Sequence, residues 1–167
     1  MDSDNRDKLY IGRAKNELDL AKAIFKLSNT EELKIDFELK KDSTFFSNVI
    51  CNSYYCIFYS AKGFLENRNI ITKPPEEHKK TLEEFEKLAL SGEIDIELLK
   101  IYKTIAMKAE TLLSIFIEEK SKRGTYTYKK LPQANLEPAQ ESLNNAEIFL
   151  KNINLIIKNK SEENYKK

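Results

Sequence analysis

Four stretches of this chain place apolar residues at alternating spacings of three and four, and this constrains the fold more than any other feature. Ile11, Ala14, Leu18, Ala21 and Phe25 form the first stripe, and Phe46, Val49 or Ile50, Tyr54, Ile57, Ala61 and Leu65 the second. Leu98, Tyr102, Ile105, Ala109, Leu112 and Phe116 form the third, and Ala139, Leu143, Ala146, Leu150, Ile153 and Ile157 the fourth. That period gathers each set on one face of an α-helix. A helix of about 20 residues is about 30 Å long. Four such helices with one apolar face apiece predict an all-α fold, an up-and-down antiparallel four-helix bundle. No alternating run is long enough to build a sheet.

The punctuation between the stripes sets the expected boundaries. The first helix is expected over 7–27 and the second over 43–67, with Ser43 as its N-cap. Residues 33–39 alternate polar and apolar side chains between charged stretches and read as a loop or short turn. Pro74 and Pro75 introduce an additional short helix over 76–90, which Ser91-Gly92 ends. The next helix is expected over 95–120. The last, with Pro138 in its first turn, is expected to reach 159. Residues 1–160 read as a single domain, and 161–167 as a flexible lysine-rich tail.

The 28 Lys and Arg residues nearly balance 27 Asp and Glu, for a net charge of +1. No overall field draws such a chain to nucleic acid or to an anionic membrane, so any nucleic-acid contact needs a local patch. Arginine, whose planar fork suits phosphate, stands only at Arg6, Arg13, Arg68 and Arg123. Cys51 and Cys56 point to different faces of one helix, which disfavours a disulfide between them and fits a reducing cytoplasm. The first ten residues lack a signal-peptide apolar stretch, and no run approaches the length of a membrane span. A cytoplasmic protein without a membrane segment is expected. With one histidine, no clustered glycines and no Glu-x-x-His pair, neither a metal site nor another cofactor is expected.

Three groups of residues carry chemistry. His78 is the one side chain with an unperturbed pKa near neutrality: it is either a surface histidine or a general base. Asn48, Asn52, Tyr55, Tyr59 and Lys62 share a second face of the second helix. They form either a helix or subunit interface, or the wall of a polar cleft that stacks and hydrogen-bonds the bases of a nucleotide or RNA. Arg123, Tyr126, Tyr128, Lys129 and Lys130 make the densest mixture of basic and aromatic residues. They form either a solvated loop or a phosphate-contacting one.

The segment Ser53-Tyr54-Tyr55-Cys56-Ile57-Phe58-Tyr59-Ser60-Ala61-Lys62-Gly63-Phe64-Leu65 resembles the Tyr-Tyr-Ala-x-Phe-x-Ala-Ala-Lys-Ala-Leu-Leu helix of small prokaryotic HEPN-domain proteins. His78-Lys79-Lys80 followed by Phe85 is similar to that branch's Thr-His-Lys-Gly…Phe segment. Residues 139–153 are similar to its final helix. The resemblance covers roughly residues 9–157 and implies an α-helical bundle, often a homodimer. Many members are metal-independent endoribonucleases, several of them toxins paired with a minimal nucleotidyltransferase. Their motif places a His a short spacer after an Arg. Arg123 suits the Arg position, but Tyr128, Lys129 and Lys130 stand where the His would fall. The resemblance therefore implies a domain that binds RNA, a nucleotide or a partner protein without efficient catalysis. The alternatives are an endoribonuclease toxin using Arg123 with His78 or a Tyr or Lys surrogate, and a pure interaction module for a nucleotidyltransferase.

Overall fold

The structure, a computed structural model, describes residues 6–121 and 136–165, with side-chain environments over 6–112 and 136–159. Its elements are α1 (Arg6–Asn29), α2 (Glu31–Asp36), α3 (Phe46–Glu66), α4 (Glu77–Leu90), α5 (Ile96–Ser121) and α6 (Leu136–Tyr165). No strand occurs among the described residues, so the fold is all-α.

The central element is α3, which packs against α1, α4, α5 and α6. Contacts between α1 and α3 run in opposite sequence order, from Arg6 beside Glu66, through Tyr10 beside Tyr59, to Phe25 beside Phe46. The two helices are therefore antiparallel. Tyr102 beside Phe149 and Lys108 beside Glu141 give the same relation for α5 and α6. The small core residues of α1, Ala14 and Ala21, are fully buried. They let it approach α3 closely enough that a Cβ on Gly63 would sit 3.1 Å from the Asp7 carbonyl oxygen.

Most residues of the stripes form the core; Ile11, Phe25, Phe46, Tyr54, Leu112 and Ile157 pack half-buried against it, and Phe116 lies outside the described side chains. Ala14, Leu18, Ala21, Ile57, Ala61, Leu65, Leu98, Tyr102, Ile105, Ala139, Ala146 and Ile153 are all buried. Burial of such side chains contributes about 25 cal/mol per Å² of apolar surface. Where α3, α4, α5 and α6 meet, the rings of Phe64, Phe85, Tyr102 and Phe149 pack with centroids 5.4–5.9 Å apart.

Three boundaries differ from expectation. Residues 31–36, which overlap the expected loop, form α2. Glu31 and Glu32 in its first turn and Lys34 in its last complement the helix dipole. Lys34 is buried, and its ammonium donates to the Lys41 carbonyl at 3.0 Å. A six-residue helix is too short for periodicity to reveal it; tertiary contact holds it. Secondly, Ser43 does not cap α3. The N-cap position is Phe45, which makes no side-chain cap bond. Its N–H instead donates to the Ser28 hydroxyl at 2.9 Å, and that hydroxyl donates to the Ile24 carbonyl. Ser28 thus ties the end of α1 to the start of α3. Thirdly, α6 continues to Tyr165, taking residues 161–165 of the expected tail into the helix.

Candidate functional site

The face of α3 that joins Asn48, Asn52, Tyr55 and Tyr59 stays uncovered between α1 and α4. Asn48 and Tyr55 are exposed, the latter by 38%, while Asn52 and Tyr59 are half-buried. Among the described residues, the amides of Asn48 and Asn52 make no hydrogen bond. Lys62, expected on the same face, lies beneath the surface. Its ammonium pairs with the Glu77 carboxylate, donates to the Thr72 carbonyl at 3.3 Å, and sits 4.7 Å above the Tyr10 ring. Burial lowers its pKa and Arg13 adds to that, while Glu66 pulls the other way. Because the N-terminal turns of α1 cover this end of α3, Lys62 fastens α3 to the segment leading into α4 rather than facing a ligand.

That segment positions His78. The chain enters α4 through Glu76, whose φ of 60° puts a non-glycine residue in the left-handed region. The first turn then lays the His78 ring flat on Phe58, with centroids 3.8 Å apart and planes 7° from parallel. Tyr54 Oη lies 2.7 Å from His78 Nδ1. Burial, helped by neighbouring Tyr55 and Glu110, pushes the Tyr54 hydroxyl up to about 12. It therefore keeps its proton, and the pair shares one hydrogen bond in which either the phenol donates to Nδ1 or Nδ1–H donates to the phenol oxygen. Burial and the nearby Lys62 ammonium both lower the His78 pKa, which favours the neutral imidazole. The bond engages Nδ1 and leaves Nε2 as the ring nitrogen outside it.

The rings continue as a track across the surface. His78 meets Tyr55 edge-on at 5.9 Å, Tyr55 stacks with Tyr59 at 6.2 Å, and Tyr59 stacks with Tyr10 of α1 at 6.3 Å. The Arg13 guanidinium stands 5.8 Å from the Tyr59 centroid and 5.9 Å from that of Tyr10. Carboxylates beside the track are engaged: Glu66 with Arg6 at 3.7 Å, Glu77 with Lys62, and Asp7 with the Asn67 amide at 3.1 Å. Burial and Glu66 raise the Tyr10 pKa against the smaller pull of Arg13 and Arg6, so its phenol stays protonated.

The structure thus brings His78, Tyr55 and Tyr59 together, continues their face through Asn52 and Asn48, and withdraws Lys62. Arg123, Tyr126, Tyr128, Lys129 and Lys130 lie outside the described residues. Sequence reasoning missed Tyr10, Tyr54 and Phe58 as parts of the site. A signal for Tyr10 was present: Arg6, Tyr10 and Arg13 follow spacings of four and three, a second face of α1 beside its apolar stripe. No group of three His, Cys, Asp or Glu side chains able to hold a metal occurs among the described residues. No helix among them is long and apolar enough to cross a membrane. Compared with known proteins, the chain matches no family model and no curated protein.

Proposed function

We propose that this chain is a HEPN-like helical domain, with its four long helices in an up-and-down bundle, that binds RNA or a nucleotide without efficient catalysis of its own. The observation that carries this reading is the surface track of His78, Tyr55, Tyr59 and Tyr10, continued by the uncommitted amides of Asn48 and Asn52. Exposed rings stack on unpaired bases, and free amides hydrogen-bond base edges. The residues after Arg123 favour binding over cleavage. Proton abstraction from a ribose hydroxyl needs a base, and Tyr128, Lys129 and Lys130 stand where the family's histidine would fall. Within this reading the domain works as a cytoplasmic homodimer, with a minimal nucleotidyltransferase as its partner protein. The free thiols of Cys51 and Cys56 are compatible with that compartment.

The test is RNA cleavage and RNA binding by the purified chain, with and without EDTA, beside Arg123→Ala and His78→Ala. Salt-dependent RNA binding without cleavage supports the proposal. Cleavage that survives EDTA and disappears in either variant replaces it with a metal-independent endoribonuclease. Neither binding nor cleavage, together with co-purification of a nucleotidyltransferase, replaces it with an interaction module.

A further inference from the structure

Resting on the reading of the α3 face as a nucleotide-binding surface, we infer that its ligand is a single-stranded polynucleotide, with a backbone phosphate held by Arg13 of α1. Arg13 is exposed, makes no ion pair among the described residues, and stands nearly equidistant from two parallel-stacked rings. Contact with both rings restricts the side chain before any ligand arrives, so less conformational freedom is lost on binding. The neighbouring acids Glu66 and Glu77 are already neutralised by Arg6 and Lys62, which leaves Arg13 as the uncompensated charge of the track. Glu17, half-buried one turn further along α1, bounds the positive stretch at that end. A guanidinium offers the planar donor fork that phosphate oxygens accept.

The length of the track selects the ligand class. Its rings, spaced 5.9, 6.2 and 6.3 Å apart from His78 to Tyr10, form a row longer than one base, with the exposed rings of His78 and Tyr55 at one end and Arg13 beside the last pair. A mononucleotide has one base and fills a fraction of this row. A duplex keeps its bases paired and stacked on each other, with no faces free for the rings. A single strand supplies successive unstacked bases and the phosphates between them.

The experiment is fluorescence anisotropy of a fluorescein-labelled oligouridine titrated with the full chain at several salt concentrations, with UMP as competitor. The expected result is binding of the oligouridine at least about tenfold tighter than of UMP, because several stations act together. Arg13→Gln should reduce the slope of log affinity against log salt by about 0.7, the contribution of one phosphate contact on a single strand. Arg13→Lys should retain the slope. Tyr55→Ala should weaken binding about tenfold or more with the slope unchanged. Circular dichroism of each variant checks that it folds. UMP competing as well as the oligouridine overturns the single-strand inference and leaves the parent reading standing. An unchanged slope in Arg13→Gln overturns the assignment of Arg13. Failure of the wild type to bind either probe overturns the parent reading, and this inference falls with it.

Discussion

Two aromatic clusters lie a few turns apart in this molecule and differ in nearly everything except residue type. In the interior, Phe64, Phe85, Tyr102 and Phe149 come from four different helices and are almost completely buried, and three of their four contacts are edge-to-face. At the surface, Tyr10, Tyr55, Tyr59 and His78 come from three helices, stay partly open, and stack in near-parallel pairs along much of the row. The interior set is buried on every side and has no ring face left to offer. The surface set keeps the exposed rings of Tyr55 and His78 and the Arg13 cation open to solvent. Burial, rather than aromatic content, separates the rings that hold the fold from the rings left at the surface.

The largest expected effect belongs to the interior. Phe85→Ala should destabilise the protein by about 3–5 kcal/mol in urea unfolding, since the cavity would open where α3, α4, α5 and α6 meet. A loss below about 0.5 kcal/mol, which is what surface changes give, would break the distinction at its buried end. Lys62 lies between the two clusters. Lys62→Ala should lower stability by about 1–3 kcal/mol, because the Glu77 carboxylate and the Thr72 carbonyl lose their donor. RNA affinity measured on the folded fraction should change little. A large loss of affinity at unchanged stability would return Lys62 to the ligand-facing row.

The position of Lys62 marks where sequence reading ran out. The four apolar stripes were legible because each repeats at five or six positions, and every long helix follows from them. The polar stripe of α3 was legible by the same periodicity, and Asn48, Asn52, Tyr55 and Tyr59 do share a face. Periodicity gives an angle around a helix axis, however, and says nothing about what covers that angle. The close approach of α1 at Gly63 buries the last member of the stripe, and that depends on a pairing of helices far apart in sequence. The same limit hid the other members of the site. Tyr54 reads as a core position and Phe58 belongs to neither stripe; the turn at Glu76 lays His78 on them. The Ser28 cap of α3 was hidden likewise, since the acceptor comes from the preceding long helix rather than from the local sequence.

At the surface cluster, substitution should separate binding from stability. Tyr55→Ala should weaken oligouridine binding by about 1–3 kcal/mol through the loss of one stacking platform. Its effect on unfolding should be small, because the ring is among the exposed large hydrophobic side chains. Destabilisation comparable to that of Phe85→Ala would make Tyr55 a packing residue and merge the two clusters into one.

The smallest effect is a pH dependence confined to the surface cluster. His78 faces Tyr54, Tyr55 and Phe58, with the Lys62–Glu77 pair beside it. Burial and Lys62 depress its pKa below the ordinary 6.5, so the folded state holds this proton less tightly than the unfolded chain does. Between the two values the unfolded state binds more protons, and stability rises with pH. The contribution is complete above 6.5 and is lost as pH falls through the folded value. Unfolding midpoints compared between about pH 5 and about pH 7.5 should therefore drop more on acidification in the wild type than in His78→Gln, which cannot titrate in this range. The difference should persist in Phe85→Ala, whose cavity lies in the group of rings without a titrating histidine. Equal acid sensitivity of wild type and His78→Gln would mean that the stacking of His78 on Phe58 does not disfavour the charged imidazole.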